Sequence, residues 1–181
     1  MRRFRAASGS AVFFAIAPGV VAGLVPWWLT GWLWRSAPPW WLPARVLGAV
    51  LAAAGVVVLV SAFVRFVVEG AGTPAPVAPT ERLVVGGLYR YVRNPMYLAV
   101  LAAILGQAML LAQPVLVGYA VLAGAAMVAF VLWYEQPALA RRYGAQYAAY
   151  RAAVPAWWPR LRPWRGDGGA HVRGSTRQSA G

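Results

Sequence analysis

One uncharged run constrains this chain more than any other feature of its sequence. Residues 94–134 contain no Asp, Glu, Lys or Arg, and the run is about twice as long as the ~20 residues that one transmembrane helix needs. Two further uncharged runs cover residues 6–34 and 46–64. A soluble domain carries about 25% charged residues, whereas this chain of 181 residues carries 12%. The sequence therefore predicts a membrane protein.

The uncharged runs divide into four predicted membrane spans. Gln113-Pro114, near the middle of the longest run, suits the tight turn of a helical hairpin. Backbone polar groups in hydrocarbon need partners within their own segment, so each span is predicted to be helical. The spans are Ala11–Trp34, Val46–Val64, Met96–Ala112 and Val115–Tyr134. The first is too long for the apolar region of a signal peptide. We predict an all-α, polytopic membrane protein with about four transmembrane helices.

Arginine placement predicts the orientation of these spans. All 17 basic residues are Arg, and with a cytoplasmic N-terminus only Arg35 and Arg45 would face outside. Positive residues concentrate on the cytoplasmic side of membrane proteins. We therefore expect both termini to lie on the cytoplasmic side of a bacterial inner (plasma) membrane. The formal net charge of +13 is explained by this topology, and no nucleic-acid partner is expected.

The chain is predicted to hold one integral membrane domain, residues 1–164, followed by a tail. Residues 165–181 are rich in Gly, Ser and Arg and are expected to be disordered. The absence of Cys excludes disulfides, a thiol nucleophile and Cys-liganded zinc, and no metal site is expected. The single histidine, His171, falls in the tail.

Polar and aromatic residues collect where the predicted spans meet the cytoplasm. Those around the start of the third span are Tyr89, Tyr91, Arg93, Asn94 and Tyr97. Asn94-Pro95 is also a predicted helix N-cap followed by proline at the first helical position. Aromatic belts and arginine anchors are common at membrane surfaces, so each residue alone has a structural explanation. Glu135, at the end of the fourth span, differs because an acid beside a span is costly and often functional.

A stripe of aromatic residues follows Glu135. Leu139, Tyr143, Tyr147 and Tyr150 recur at intervals of three or four residues, which is typical of one face of a helix. The stripe predicts an amphipathic C-terminal helix. Such a helix would lie on the inner leaflet whatever the function of the chain.

Several motifs occur in a fixed order along the second half of the chain. They are Leu83-Val84-Val85-Gly86-Gly87-Leu88-Tyr89, Arg93-Asn94-Pro95-Met96-Tyr97, Gln113-Pro114, Glu135, Tyr143-Gly144-Ala145-Gln146-Tyr147 with Tyr150, and Val154-Pro155. In order and spacing they resemble the isoprenylcysteine carboxyl methyltransferase and phospholipid methyltransferase superfamily. The resemblance is strongest over residues 80–155, and the first two spans match only as hydrophobic helices.

The resemblance implies an integral membrane enzyme that transfers a methyl group from S-adenosylmethionine to a lipid-soluble acceptor at the cytoplasmic face. It places the cofactor in a cytoplasmic loop, the cytoplasmic ends of the hairpin and the C-terminal helix. The residues that match the family's cofactor contacts are Arg82, Leu83, Val84, Tyr89, Asn94, Pro95, Met96, Tyr97 and Glu135. By this resemblance Glu135 pairs with the cofactor ammonium and Asn94 helps to hold its carboxylate at a helix start. Tyrosines enclose the adenine or the sulfonium.

Three positions depart from the family pattern. The family histidine is Asn94 here, and the second family glutamate is Gln136. Prenylcysteine enzymes place an arginine four residues before the conserved glutamate, where this chain has Val131, so prenylcysteine is not the expected acceptor. Two alternatives stay open from the sequence: an NADPH-dependent membrane reductase with a similar hairpin, and a non-catalytic membrane protein that has kept the fold.

Overall fold

The computed structural model describes residues 17–70 and 83–165. In these residues the regular structure is helical and contains no strand, which agrees with the predicted all-α class. The helices are α1 (Ala17–Thr30), α2 (Leu42–Gly70), α3 (Pro95–Leu111), α4 (Pro114–Phe130) and α5 (Gln136–Ala153). Short 3-10 turns at Pro39–Trp41 and Gly87–Arg90 precede α2 and α3. The start of the first predicted span, Arg82 and the predicted tail beyond Arg165 lie outside the described residues.

Two stretches of helix are long and apolar enough to cross a membrane, Pro39–Ala62 and Pro114–Ala153. Ala17–Thr30 and Pro95–Leu111 are apolar but shorter, so four crossings stay a prediction. Large apolar side chains cover much of the exterior of α2 and α4, where they are exposed. A soluble monomer rarely exposes so much apolar surface, whereas lipid contact requires it.

α2 and α3 pack along more of their length than any other pair of helices in the described residues. Small residues let their backbones touch. A Cβ added at Gly55 would lie 2.7 Å from the carbonyl oxygen of Ala99, and one added at Gly106 would lie 2.5 Å from the backbone nitrogen of Ala52. Glycine at helix interfaces in membranes permits this close approach. The contact fixes the position of α3 and therefore of the loop that leads into it.

α3 and α4 form the predicted hairpin. The turn lies at residues 112–113, where Ala112 adopts a φ of 55°. Pro114 begins α4 at a position where its missing N–H is not needed. The two helices share a buried core that includes Val100, Ile104 and Leu116. The predicted hairpin at Gln113-Pro114 is therefore present.

A π-helical turn, Val20–Leu24, attaches α1 to this hairpin. The Tyr119 hydroxyl donates a hydrogen bond to the Val21 carbonyl at 2.9 Å, and Gln107 Nε2 donates one to the Ala22 carbonyl at 2.7 Å. A π turn widens the helix and alters the regular pairing of its carbonyl groups. These two polar side chains on α3 and α4 thus hold α1 in place.

The chain from α4 to α5 is one long helix with two interruptions. A π-helical turn, Val131–Glu135, joins the two helices, and Gly144 breaks α5 with a φ of 49° and a ψ of −123°. The predicted C-terminal helix is present, but its backbone is not regular along the aromatic stripe. After α5, residues 154–165, here called the C-terminal strap, run back along the loop before α3. The Arg160 amide donates to the Tyr91 carbonyl at 3.0 Å, and the Trp164 amide donates to the Arg90 carbonyl at 2.9 Å.

The glycine contact between α2 and α3 predicts a large difference between two valine substitutions. Gly106→Val should lower the free energy of unfolding by at least the ~1–3 kcal/mol of an overpacked core, because backbone atoms of α2 cannot move aside as a side chain can. Gly118→Val is the control, since an added Cβ at Gly118 on α4 meets nothing within 4 Å. Thermal unfolding of both variants in the same detergent measures the difference. Equal midpoints would contradict the close contact.

Candidate functional site

A polar cavity lies where the loop before α3 meets the junction of α4 and α5. Its volume is about 60 Å³. The loop and the start of α3 contribute Leu83, Val84, Tyr89, Arg93 and Asn94. The junction and α5 contribute Val131, Glu135, Gln136, Leu139, Tyr147 and Tyr150. The cavity therefore combines one carboxylate, one guanidinium, two side-chain amides and three phenol rings.

Glu135 is the acid of this cavity. It is half-buried at the end of the π-helical turn, and the Tyr97 hydroxyl donates a hydrogen bond to its Oε2 at 3.0 Å. The C-terminal strap covers this pair, because the Trp157 ring lies 6.3 Å from the Tyr97 ring. Tyr97 thus orients the carboxylate from α3, and the strap packs beside Tyr97.

Arg93 connects the loop to the C-terminal strap. Its backbone amide donates to the Pro155 carbonyl at 2.9 Å, and its Nε donates to the Val154 carbonyl at 2.8 Å. Its Nη1 also donates to the Tyr147 hydroxyl at 3.3 Å. Hydrogen bonds from charged donors are stronger than neutral ones, so Arg93 holds α5 and the strap against the start of α3. It also places a positive charge on the cavity that holds Glu135.

Tyr89 and Tyr150 close the cavity from two sides. The Tyr150 hydroxyl donates to the Tyr89 carbonyl at 2.6 Å, and both side chains are buried. Burial raises the pKa of the Tyr89 hydroxyl, and the negative charge of Glu135 raises it further. The Tyr89 phenol therefore stays protonated at physiological pH, which excludes it as a phenolate base.

Asn94 lies at the N-cap position of α3, as predicted, with Pro95 at the first helical position. Its side chain makes no capping hydrogen bond with the helix. The residue is buried, with 7% of its surface exposed, and lines the cavity. The Asn94 amide thus faces the cavity instead of capping α3.

The break at Gly144 lets both parts of α5 reach the same cavity. In a straight helix Val131 and Tyr150 would lie about 28 Å apart at ~1.5 Å per residue, yet both line a cavity of about 60 Å³. The φ of 49° at Gly144 is a conformation that glycine adopts readily and other residues rarely do. The bend turns Tyr147 and Tyr150 back toward Glu135.

The structure separates the predicted cofactor residues into three groups. Five of them line the cavity: Leu83, Val84, Tyr89, Asn94 and Glu135. Tyr97 does not line it but bonds directly to Glu135. Met96 is buried in a cluster with Ala62, Val84 and Tyr89, and Pro95 lines a different groove between α2 and α3. Arg82 lies outside the described residues, so its place in the site stays a prediction.

Several cavity residues are missing from the predicted set. The sequence placed Arg93 and the tyrosine stripe near the cytoplasmic ends of the spans but did not include them among the residues that match the family's cofactor contacts. The structure brings Arg93, Gln136, Tyr147 and Tyr150 onto the cavity. The signal that could have found the tyrosines is Gly144, because a glycine inside a helical stripe often marks a break in the helix.

The donor set of the cavity fits S-adenosylmethionine in its chemistry. A carboxylate suits an ammonium group, and a guanidinium with a side-chain amide suits a carboxylate. Phenol rings attract a sulfonium by cation–π interaction. Ligand sites usually measure ~300–1,000 Å³, and the cavity of about 60 Å³ is smaller than that range.

Comparison with known proteins supports the resemblance. The sequence model of the family described as phospholipid methyltransferase (PEMT) matches residues 43–146. This range covers nearly all of α2, the loop, the α3–α4 hairpin, Glu135 and the first part of α5. The predicted resemblance is confirmed, and it extends farther toward the N-terminus than the motifs alone indicated. No curated protein and no solved structure matches the chain.

The positive φ at Gly144 predicts opposite effects for two Gly→Ala substitutions. Gly144→Ala should destabilise the protein by about 1–3 kcal/mol, the cost of holding an L-residue in a backbone conformation that glycine adopts readily and other residues rarely do. Gly118→Ala should instead stabilise α4 by up to ~1 kcal/mol, because alanine is the better helix former and an added Cβ has open space there. Thermal unfolding in detergent compares the two. Stabilisation by both variants would mean that α5 is not bent at Gly144.

Proposed function

Because the chain belongs to the phospholipid methyltransferase family, we propose that it transfers a methyl group from S-adenosylmethionine to a lipid-soluble acceptor at the cytoplasmic face of a membrane. The family consists of membrane methyltransferases, and the apolar helices agree with that class. When bound, the cofactor would supply a methyl group. The bond from its carbon to sulfur would break with the electron pair kept by sulfur, and a lone pair of the acceptor would form the new bond to carbon. An amine acceptor would also release a proton.

The observation that carries this proposal is the pair of opposite charges on one cavity. Glu135 and Arg93 both line it, together with Asn94. A zwitterionic amino-acid group requires this complement, with a carboxylate for its ammonium and cationic or amide donors for its carboxylate. In the proposal Glu135, oriented by Tyr97, binds the ammonium. Arg93 and Asn94 face the carboxylate at the start of α3, where the helix dipole also favours an anion.

The remaining cavity residues would act by enclosure. Tyr89, Tyr147 and Tyr150 surround the cavity with aromatic rings, and the C-terminal strap lies over Tyr97. Excluding water strengthens electrostatic contacts inside a site, and fixing two reactants in line lowers the entropic part of the barrier. An acceptor that is already an anion needs no general base, because it has no proton to lose before it attacks the methyl carbon.

Orientation in the membrane is part of the proposal, with four crossings and both termini in the cytoplasm of a bacterial inner membrane. The positions of arginines at the two ends of α3 support it. The Arg35 amide donates to the Leu111 carbonyl at the C-terminal end of α3, whereas Arg93 lies two residues before the N-terminal end. The few arginines assigned to the outside thus lie at the opposite end of α3 from the cavity, as the positive-inside rule requires.

Reporter fusions test this orientation. Green fluorescent protein fused after Gly181 should fluoresce, because it folds in the cytoplasm, and alkaline phosphatase at the same position should be inactive. A matched pair of fusions after Pro38, in the loop between α1 and α2, should give the reverse pattern. Active phosphatase after Gly181 would place the cavity on the wrong side of the membrane for this proposal.

Cofactor binding tests the role of Glu135. Glu135→Gln keeps the shape of the side chain but removes its charge, and loss of a charged hydrogen bond of ~1.5–3 kcal/mol should weaken S-adenosylmethionine binding about tenfold or more. Isothermal titration calorimetry on the purified full chain in detergent gives the dissociation constant. Tyr97→Phe should weaken binding less, because the carboxylate remains but is no longer oriented.

Tyr119→Phe is the matched control for Tyr97→Phe. It removes a tyrosine hydroxyl that bonds to Val21 on α1 and should leave the dissociation constant unchanged, because Tyr119 lies 16 residues before Glu135, about 24 Å along the helix at ~1.5 Å per residue. Wild-type affinity in Glu135→Gln would remove Glu135 from the site. Binding of NADPH instead of S-adenosylmethionine by the wild type would favour the reductase alternative, and binding of neither would favour a non-catalytic protein.

A further inference from the structure

The C-terminal strap carries the most exposed large apolar side chain among the described residues. Leu161 is 98% exposed, and Trp158 on the same segment is 82% exposed. Single apolar residues scattered over a protein surface are normal, but these two lie only three positions apart and outside the membrane-spanning helices. Burying such side chains away from water is favourable. The strap therefore presents an apolar surface that a partner could cover.

Backbone hydrogen bonds fix the strap on both sides of Leu161. The Arg160 amide donates to the Tyr91 carbonyl at 3.0 Å, and the Trp164 amide donates to the Arg90 carbonyl at 2.9 Å. Proline also occupies every fourth position from 155 to 163, and its ring restricts the backbone φ. Leu161 is thus presented to the outside by a backbone that is held in place on either side of it.

The strap meets the helices at the edge of their lipid-facing surface. Pro159 lines the α2–α3 groove, an apolar opening of about 430 Å³ between the two helices. Val58 of α2 and Leu98 in the first turn of α3 line the same groove, and the neighbouring Val57 is exposed, as a side chain in contact with lipid must be. Trp158, next to Pro159, therefore lies near the boundary between hydrocarbon and water, where tryptophan is enriched in membrane proteins.

The charge beside these apolar side chains is positive. Residues 154–165 contain three arginines and no acid. The guanidinium of Arg160 donates to the Ala153 carbonyl and is thus used within the protein. Arg162, next to Leu161, is exposed and makes no hydrogen bond or ion pair with another described residue. A basic segment at a membrane surface is attracted to anionic lipid, so the strap combines the apolar and the cationic groups that fit a negatively charged bilayer surface.

We propose that the C-terminal strap docks on the negatively charged surface of the membrane that holds the helices. Trp158 and Leu161 enter the headgroup region, and Arg162 lies among the anionic headgroups. The lipid acts here as a surface and not as a methyl acceptor, so the docking does not depend on the proposed function.

Docking of the strap also couples the membrane surface to the polar cavity. Arg93, which lines the cavity, donates from its Nε to the Val154 carbonyl at the start of the strap. The Trp157 ring lies 6.3 Å from the ring of Tyr97, which orients Glu135. A membrane that holds the strap in place therefore also holds these side chains in the arrangement assigned to cofactor binding. This consequence rests on the proposed function.

Site-directed spin labelling tests the docking, because the chain contains no Cys and one added Cys takes the only label. Leu161→Cys of the full chain carries a nitroxide in nanodiscs of phosphatidylcholine alone or mixed with an equal part of phosphatidylglycerol. The ratio of its collisions with oxygen, which dissolves in lipid, to those with a water-soluble nickel chelate should rise at least threefold in the anionic nanodiscs. Trp158→Cys is a second labelled position with the same expectation. Gln146→Cys, at an exposed polar residue of α5, is the control and should favour the nickel chelate in both.

Three results would overturn the docking. Labels at Leu161 and Trp158 that favour the nickel chelate in both nanodiscs would show that the strap stays in water. Equal insertion into neutral and anionic nanodiscs would show that the negative charge of the surface plays no part. Labels protected from both oxygen and nickel would show that a protein surface, such as a second copy of the chain, covers the strap instead of lipid.

Calorimetry in the same nanodiscs tests the coupling and separates it from the proposed function. S-adenosylmethionine should bind the wild type at least threefold more tightly in the anionic nanodiscs. Because an anionic surface attracts a cationic cofactor by itself, the control is the double variant Trp158→Ser with Leu161→Ser, which keeps every charge and should lose most of this gain. An equal gain in the double variant would overturn the coupling. Inserted labels in a protein that binds no S-adenosylmethionine in either lipid would support the docking and remove the methyltransferase.

Discussion

The contact between the backbones of α2 and α3 is the constraint on which the rest of the structure depends. In lipid there is little hydrophobic driving force between helices, so close packing must hold them together. Gly55 and Gly106 supply that packing because neither position has room for a Cβ. The contact sets the depth and the rotation of α3. It thereby determines that Asn94 faces the polar cavity at one end of the helix and that Leu111 meets the Arg35 amide at the other.

The opposite wall of the cavity depends on two irregularities in one long helix. The π-helical turn ends at Glu135, and Gly144 bends α5 so that Tyr147 and Tyr150 return to the cavity. Each irregularity disrupts regular helix pairing, which is unfavourable on its own. Packing of the two tyrosines with Val154 and the loop offsets this cost, as do the hydrogen bonds that Arg93 donates to the strap. The site is therefore held by contacts between distant parts of the chain and not by α5 alone.

The sequence predicted the hairpin correctly because its signal is a physical requirement: a long uncharged run interrupted by a proline must fold back on itself in a membrane. The sequence assigned four consecutive residues, 94–97, to one cofactor site, and the structure places them on different surfaces. Successive residues of a helix point about 100° apart, so Asn94 faces the cavity and Tyr97 reaches Glu135, while Pro95 lines the groove and Met96 enters the core. Neither this division nor the bend at Gly144 follows from periodicity, because tertiary contacts determine both.

The order of side chains in residues 88–95 divides one short segment of the chain between two surfaces. Here a single tight segment presents Tyr91 and Pro95 to an apolar groove and Arg93 and Asn94 to a polar cavity. Since Gly55 lines the groove and also fixes α3, the glycine contact that assembles the helices also determines which side chains of this segment reach the polar cavity.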